Sequence, residues 1–215
     1  MTDRWIFGVD PLPQAMRAAG LLRQVTALAA ALEQEDDALE QLIGDLERAE
    51  EILRQRVPAD ATPRVGPDAP NDGRVYVDHA FDIGAHNACF PEYEIVVVDE
   101  ASAYGSVSFP IAYEGPPGVV HGGFLALFFD CVVQHHNCEV GLAGKTWSLA
   151  VRYSRPAPLG KPLRFTLERT VAETGIHTNA SLDRAGKVLC EAKVDAIAGV
   201  RASLPAVSPR RDVQS

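Results

Sequence analysis

Apolar residues at helical spacing dominate the first 56 residues of the chain. One leucine recurs at every seventh position: Leu32, Leu39, Leu46 and Leu53. Neighbouring apolar residues widen this row into a stripe opposite a charged face, which predicts helices over residues 14–56. The polar stretch EQEDDALEQ favours a break with Asp36 or Asp37 as N-cap, and therefore a helical hairpin over one long helix. We interpret the stripe as packing on the protein's own core or on a partner subunit, rather than as a dedicated recognition helix.

The periodicity changes to that of strands after residue 73. Residues 57–73 are rich in Pro, Gly and Asp, which predicts a linker or irregular loop. Short strands are predicted at 74–79, 93–99 and 103–112, the last two as a hairpin. Clearer strands are TWSLAVRYS, LRFTLERTV, IHTNASL and KVLCEAKVDAIA, the last pair joined by the tight turn DRAGK. Together they predict an antiparallel sheet with one covered face.

Between the two sets of strands lies the segment GVVHGGFLALFFD, residues 118–130. Residues 122 to about 138 are long enough for a helix and are apolar on every side, which is typical of a buried helix. The predicted fold is α+β, with a curved antiparallel sheet around one central helix and an N-terminal helical extension outside it. Asp130 is an isolated carboxylate in this segment. Burying an ionised group without a partner costs several kcal/mol, so something must compensate it.

Composition and charge exclude several classes of function. The net charge of −9 over 215 residues argues against a nucleic-acid binder, which needs clustered Lys and Arg. No apolar run reaches the roughly 20 residues that span a bilayer, and the start MTDRWIFGVDPLP lacks the apolar core of a signal peptide. The four cysteines have no CxxC spacing. We therefore expect reduced thiols, a cytoplasmic protein and no membrane partner.

Helix geometry separates His121 from Asp130. The two residues are nine positions apart, so they lie on opposite sides of one helix and roughly 13 Å apart along its axis. They cannot share a site within one chain. If two copies pack these helices side by side and antiparallel, Asp130 of one chain approaches Gly122 of the other, where free N–H groups and the helix dipole favour negative charge. The sequence thus predicts a homodimer at minimum and no active monomer.

The order of these elements resembles the hotdog-fold acyl-CoA thioesterases of the phenylacetate-degradation type. The resemblance covers about residues 75–198 and rests on GVVHGG, Asp130, a hydroxyl residue at the head of the next strand, RPAPLG and DRAGKVLCEAK. It implies hydrolysis of fatty or aromatic acyl-CoA thioesters without metal or cofactor, by dimers or by dimers of dimers. Acyl-CoA is then the substrate, and coenzyme A enters only as part of it.

The resemblance also implies roles for individual residues. Gly122 would present its backbone N–H to the thioester carbonyl, His121 would orient that loop, and Asp130 would be the general base or nucleophile. Thr146 stands where relatives carry a hydroxyl that helps position the water or the carboxylate. Gly123 would let substrate approach the backbone closely. Some relatives have an Asn six residues before the His, where this chain has Gly115. The amide that holds the attacking water in those relatives is therefore missing.

Two other groups of residues carry candidate chemistry. Arg152, Arg155 and Lys161, with Arg164, form the most basic cluster, which either meets the CoA phosphates, as the resemblance implies, or consists of ordinary exposed strand-end charges. His135, His136, Cys138 and Cys131 have helical spacing, but no further carboxylate or cysteine pair completes a metal site. We expect no metal and a solvated helix end there.

The predicted organisation has four parts. Residues 1–57 form the helical extension, 58–73 a linker, 74–199 the hotdog thioesterase domain and 200–215 a flexible tail. The leading hypothesis is an acyl-CoA thioesterase, and the alternative is a non-catalytic acyl-CoA binding or sensing protein. A hydratase is disfavoured because its catalytic pattern is missing. A scaffold that uses only residues 14–56 is a further reading.

Overall fold

The computed structural model of the chain describes residues 7–78, 82–173, 175–199 and 205–208. The end of the strand predicted at 74–79 and most of the tail predicted at 200–215 lie outside these ranges. The helices are α1 (Pro13–Ala30), α2 (Asp37–Arg54), α3 (Ile83–His86), a 3₁₀ turn (Ile111–Tyr113) and α4 (Gly122–Glu139). The strands are β1 (Asp60–Pro63), β2 (Gly73–Arg74), β3 (Tyr93–Val97), β4 (Ser102–Val107), β5 (Ala143–Tyr153), β6 (Leu163–Ala172), β7 (Gly175–Arg184) and β8 (Lys187–Gly199).

The break predicted between the first two helices is confirmed. α1 begins with Pro13, whose fixed φ suits the first turn of a helix. Asp36 caps α2, since its carboxylate accepts a hydrogen bond of 2.8 Å from the Ala38 N–H. Acidic residues in the first turn of α2 and Arg54 in its last turn suit the helix dipole.

The two helices differ in how they use their apolar stripes. α1 packs against α3 and the 3₁₀ turn, and it buries Ala19 and Arg23. α2 buries none of its residues among the described part of the chain, and Ile43, Leu46 and Leu53 are exposed along it. Packing of the α2 stripe on a partner subunit stays a prediction.

Arg23 is the main polar anchor of α1. Its guanidinium is buried and donates to the backbone oxygens of Phe90 at 2.7 Å, of Asn87 at 3.1 Å and of Gly84, and to the carboxylate of Glu92. A guanidinium carries five donors in a rigid fork, which lets one side chain hold several acceptors. Arg23 therefore ties α1 to the irregular segment 84–92.

The main sheet has six antiparallel strands in the order β3-β4-β6-β7-β8-β5, as the alternation predicted. Inward residues of β6 and β8 are buried and outward ones exposed. Ala185 and Gly186 both have positive φ in a two-residue turn, which is the type I′ geometry expected of DRAGK. Within the segment predicted to be irregular, β1 pairs with β2 as a short parallel ladder.

Two details of the strands differ from the prediction. The run predicted at 103–112 ends as a strand at Val107, because Pro110 and the 3₁₀ turn follow. In β5, the register with β8 shifts between Thr146 and Ser148, so Trp147 is an extra residue in a β-bulge. The bulge turns Thr146 onto the same face as Leu149, whereas simple alternation placed them on opposite faces.

The sheet wraps around α4, and Phe128 lies at the centre of the core. Its ring is fully buried, with ring centroids of Phe165 at 5.3 Å, Phe109 at 5.7 Å and Tyr93 at 5.9 Å. Such edge-on aromatic contacts add to the stabilisation from apolar burial.

The solvated end expected for α4 is wrong. His135, His136, Asn137 and Cys138 are all buried there. The buried Arg169 of β6 donates to Asn137 Oδ1 at 3.1 Å and to the His136 backbone oxygen at 3.4 Å. A cation at a helix C-terminus stabilises the exposed carbonyls, which lets the chain bury this end.

We expect Arg23→Met to lower the free energy of unfolding by about 2–4 kcal/mol, because the buried carbonyls of Gly84 and Phe90 lose this donor. Urea denaturation followed by circular dichroism measures the change. Arg17→Met is the matched control on the exposed face of the same helix, with an expected change within about 0.5 kcal/mol. Equal effects of the two substitutions would contradict an anchoring role for Arg23.

Candidate active site

His121 forms the N-cap of α4. Its Nδ1 accepts a hydrogen bond of 3.0 Å from the Gly123 N–H. A ring nitrogen that accepts carries no proton, so in this arrangement the imidazole proton lies on Nε2. The structure therefore brings His121 and Gly123 into direct contact at the start of the helix.

Hydrogen bonds from other residues fix the two peptides that flank the His121–Gly122 peptide. The His121 N–H donates to the Tyr113 backbone oxygen at 2.9 Å, and the Tyr153 hydroxyl donates to the Gly122 backbone oxygen at 2.8 Å. The Gly122 N–H has no acceptor among the described residues, as expected at the first turn of a helix. The result is one free backbone donor in a fixed orientation.

Close approach explains the glycines at 115 and 122. A Cβ at Gly122 would lie 3.0 Å from Cζ of Tyr153, and a Cβ at Gly115 would lie 2.8 Å from Cα of His121. The first contact is tight, and the second is shorter than side chains tolerate. The loop that carries the helix start is thus packed too closely for a side chain at Gly115.

Asp130 lies two turns further along α4. Its Oδ1 is buried and has no hydrogen-bond partner among the described residues. The residue shares one face of the helix with Gly123, Leu127 and Gln134, at spacings of three and four. Eight residues separate Asp130 from Gly122, about 12 Å along the axis. The structure therefore does not bring these two predicted site residues together within one chain.

Thr146 reaches α4 through a residue that the sequence analysis missed. Its hydroxyl accepts a hydrogen bond of 2.8 Å from Nε2 of Gln134, one turn beyond Asp130. The β-bulge at Trp147 gives Thr146 this inward direction. Gln134 lies four residues after Asp130 and could have been recognised from that helical spacing. The β-bulge could not, because the alternation of apolar and polar residues along the strand does not reveal an extra residue.

An exposed apolar surface surrounds Asp130. It consists of the α4 face at Leu127, 44% exposed, and the inner side of β5 at Leu149 and Tyr153, 36% and 52% exposed; the bulge residue Trp147 is 63% exposed. β5 is the last strand in the sheet order and has no partner on its outer side in the described chain. An edge of 11 residues with exposed apolar side chains is a surface that favours pairing with another chain.

The three predicted basic residues have different surroundings. Arg152 points to the outer face of the sheet, opposite Glu191, and Arg155 donates to the Val188 backbone oxygen at 2.7 Å. Lys161 is exposed and follows the loop in which the Leu159 N–H donates to the Gly118 backbone oxygen. Of the three, Lys161 follows the loop that contacts the segment leading to His121.

Cys131 and His135 are close to Asp130 in the sequence of α4, and each has its own environment. Burial, with the charge of Asp130, raises the pKa of the Cys131 thiol to about 12, so it is not a thiolate at neutral pH. His135 Nδ1 lies 2.7 Å from the Tyr93 hydroxyl.

Among the described residues, no three His, Cys, Asp or Glu side chains come together as metal ligands. None of the helices in this part of the chain is both long and apolar enough to cross a membrane.

A cavity of about 940 Å³ lies between α1 and the β3-β4 end of the sheet. Its walls include Arg23, Tyr93 and Pro110, and none of the predicted site residues lines it. The predicted site residues on α4 and β5 are therefore separate from this cavity.

Solved structures with similar folds include proteins named as thioesterases. A protein described as a member of the thioesterase superfamily is 28% identical, with a TM-score of 0.67, over 90% of this chain and 100% of its own. A hypothetical thioesterase from Streptococcus pneumoniae, solved with coenzyme A, is 18% identical over 54% of this chain and 91% of its own, with a TM-score of 0.47. The E. coli PaaI protein of the phenylacetic acid degradation operon is 17% identical over 49% and 82%, with a TM-score of 0.45. Comparisons with protein-family models and with curated proteins find no match.

The first of these similarities extends beyond the sheet and its central helix. Residues 74–199 make up less than two thirds of the chain, so a match over 90% includes much of the N-terminal extension. The six-stranded antiparallel sheet around α4 agrees with the fold that the sequence motifs implied. The chain therefore has the hotdog fold, and over most of its length it is similar to a thioesterase-superfamily protein.

Proposed function

We propose that this protein hydrolyses acyl-CoA thioesters to the free carboxylic acid and coenzyme A. The observation that carries the proposal is the buried Oδ1 of Asp130, which has no partner among the described residues, on a helix face that also carries the exposed Leu127. Burying a carboxylate there costs free energy that packing does not return, which favours a chemical role over a structural one. The similarity over 90% of the chain to a thioesterase-superfamily protein supports the class of reaction.

The proposed site forms between two copies of the chain. Pairing of two β5 edges about a twofold axis would place the two α4 helices side by side and antiparallel. Asp130 of one copy then faces the free Gly122 N–H of the other, and the exposed Leu127 and Leu149 become buried. The helix N-terminus provides the compensating partner that Asp130 lacks in its own chain. We propose a homodimer as the smallest active form, without metal or cofactor.

The chemistry begins with a water molecule beside Asp130. The carboxylate takes a proton as the water oxygen bonds to the thioester carbon, and the carbonyl oxygen becomes an oxyanion. The Gly122 N–H donates to that oxyanion, and loss of one such donor typically costs on the order of 100-fold or more in rate. The C–S bond then breaks, CoA leaves as a thiolate that takes up a proton, and the acid is released. The side chains of Thr146 and Gln134 provide polar groups close to this water molecule.

Substrate recognition would use the glycine-rich helix start and the basic residues. Gly123 leaves room for the thioester next to the backbone. Lys161 is the best placed of the basic residues to meet a CoA phosphate, because the loop before it contacts Gly118. Arg152 on the outer face of β5 and Arg155, two residues beyond its end, are further proposed phosphate contacts.

A specific observation favours a second candidate, a non-catalytic acyl-CoA binding protein. The close contact between Gly115 and His121 leaves no room for the Asn that some relatives use to hold water. A binder would keep the helix start and the apolar surface but would have no use for the Asp130 base.

Asp130→Asn and Asp130→Ala should lower thiol release from acyl-CoA by on the order of 100-fold or more, because the base is lost. A panel of short, medium, long and aromatic acyl-CoAs measures turnover, and calorimetry measures binding of the same esters. Asp183→Asn, on the outer face of β7, is the matched control and should keep wild-type turnover. If the wild type hydrolyses none of these acyl-CoAs but binds them tightly, the result would support a binding protein instead.

Mixing two inactive variants tests the site between subunits. Asp130→Ala and Gly122→Leu each destroy both sites of a homodimer, but a mixed dimer holds one intact site and one doubly defective site. After unfolding and refolding together, random pairing should restore about a quarter of wild-type turnover. Each variant refolded alone should stay inactive. No recovery on mixing, with mixed dimers present by native mass spectrometry, would place the whole site in one chain.

Introducing at position 115 the Asn that some relatives carry should reduce both turnover and stability. We expect Gly115→Asn to lower turnover and to destabilise the fold by roughly 1–3 kcal/mol, because the new Cβ displaces the His121 backbone. Gly118→Asn is the matched control, since Gly118 has a φ of 75° that Asn tolerates and open space around it. Thermal unfolding and thiol release measure both effects. A gain in turnover for Gly115→Asn would show that the loop relaxes and that the missing amide limits the rate.

A further inference from the structure

Tyr153 is the one side chain that reaches the start of α4 from another element with a hydrogen bond in the described chain. It is the last residue of β5, and its hydroxyl donates to the Gly122 backbone oxygen at 2.8 Å. Its ring lies against Gly122, where a Cβ would be 3.0 to 3.2 Å from three ring and hydroxyl atoms. Burial raises the pKa of Tyr153, so the hydroxyl stays protonated and remains a donor at neutral pH.

The bond from Tyr153 continues through the backbone to His121. The oxygen that accepts from Tyr153 belongs to the Gly122–Gly123 peptide, and the N–H of the same peptide donates to His121 Nδ1 at 3.0 Å. This peptide is therefore held at both ends. Hydrogen bonds in such a chain polarise one another, so a donor at the carbonyl strengthens the N–H as a donor to the imidazole.

We propose that Tyr153 is a positioning residue that fixes the Gly122–Gly123 peptide and holds the His121 proton on Nε2. The proposal deepens the proposed thioesterase site and rests on it for its catalytic consequence. The fixed peptide keeps the neighbouring Gly122 N–H aimed at the position of the oxyanion. The Nε2–H of the exposed His121 side chain has no acceptor among the described residues and becomes a second donor for substrate.

The location of Tyr153 links the helix start to subunit pairing. Tyr153 shares one strand with Trp147 and Leu149, which lie on the exposed edge. In the proposed dimer, pairing of this edge restrains the strand and therefore the hydroxyl that holds Gly122. Assembly would then order the donors in addition to bringing Asp130 to them.

Tyr153→Phe removes the hydroxyl and keeps the ring. We expect kcat for the most active acyl-CoA to fall about three- to tenfold with little change in KM, because the donors lose orientation and substrate contacts remain. In ¹⁵N-histidine spectra, the His121 signals should change from the single Nε2–H tautomer to a mixture. His121→Asn identifies those signals by their loss, and size-exclusion chromatography with light scattering checks that the dimer remains.

Tyr104→Phe is the matched control, because Tyr104 lies on the outer face of β4 and is similarly exposed. It should change neither kcat nor the His121 signals. A double-mutant cycle separates positioning from packing: His121→Asn keeps a cap for the Gly123 N–H, and in that background Tyr153→Phe should have less than its effect in the wild type. Fully additive effects would overturn the link between the two residues.

The spectra distinguish failure of this inference from failure of the proposed function. Unchanged His121 signals in Tyr153→Phe would overturn the positioning role even in an active enzyme. A wild type without turnover whose His121 tautomer still depends on Tyr153 would support the hydrogen-bonded chain and overturn the thioesterase.

Discussion

A carboxylate oxygen without a hydrogen-bond partner among the described residues is the constraint on which the functional part of this molecule depends. The sheet wraps α4 and buries its other faces, so the face with Asp130 is the one left open. A structural role for the residue would require a donor within reach, and the described chain offers none at Oδ1. Oδ1 is inaccessible to solvent although the residue as a whole is only half-buried. The proposed second copy satisfies both needs because it supplies a helix N-terminus and covers the apolar face.

The strand β5 is both an exposed edge of the sheet and a source of candidate site residues. It is an edge strand with exposed apolar residues, which native proteins tend to cover or pair. It also carries Thr146 and Tyr153 on its inner side, and their hydroxyls contact Gln134 and Gly122 on α4. Any chain that pairs with this edge therefore changes the support of both ends of the candidate site. This shared strand is the physical reason to expect activity and assembly to be coupled.

The sequence predicted those parts of the molecule that depend on local pattern. Alternation along the strands, the apolar helix and the DRAGK turn each reflect the geometry of a few consecutive residues, and all three are present. The helix start at HGG was recognisable through the resemblance, whereas the cap that His121 forms with the Gly123 N–H was not predicted. Asp130 was recognisable because a lone carboxylate among apolar residues is costly in any arrangement that buries it.

Contacts between distant segments were not predictable in the same way. The direction of Thr146 depends on one extra residue in a ladder with β8, and alternation gave the opposite face. The sequence analysis assigned no role to Arg169, which covers the end of α4 from a strand more than 30 residues away. Arg23 was likewise not singled out, and it binds carbonyls more than 60 residues later. Long polar side chains hide such roles because their sequence neighbours do not reveal what they reach.

These long contacts give the N-terminal extension a physical connection to the site. Arg23 anchors α1 on the segment before β3, and α1 also packs against the 3₁₀ turn that carries Tyr113. Tyr113 accepts the His121 N–H and stacks edge-on against Phe124, with ring centroids 5.0 Å apart. The extension thus supports the loop that presents Gly122 from one side while Tyr153 supports it from the other. α2 has no comparable contact among the described residues, so support of the site is a property of the first helix and not of the whole extension.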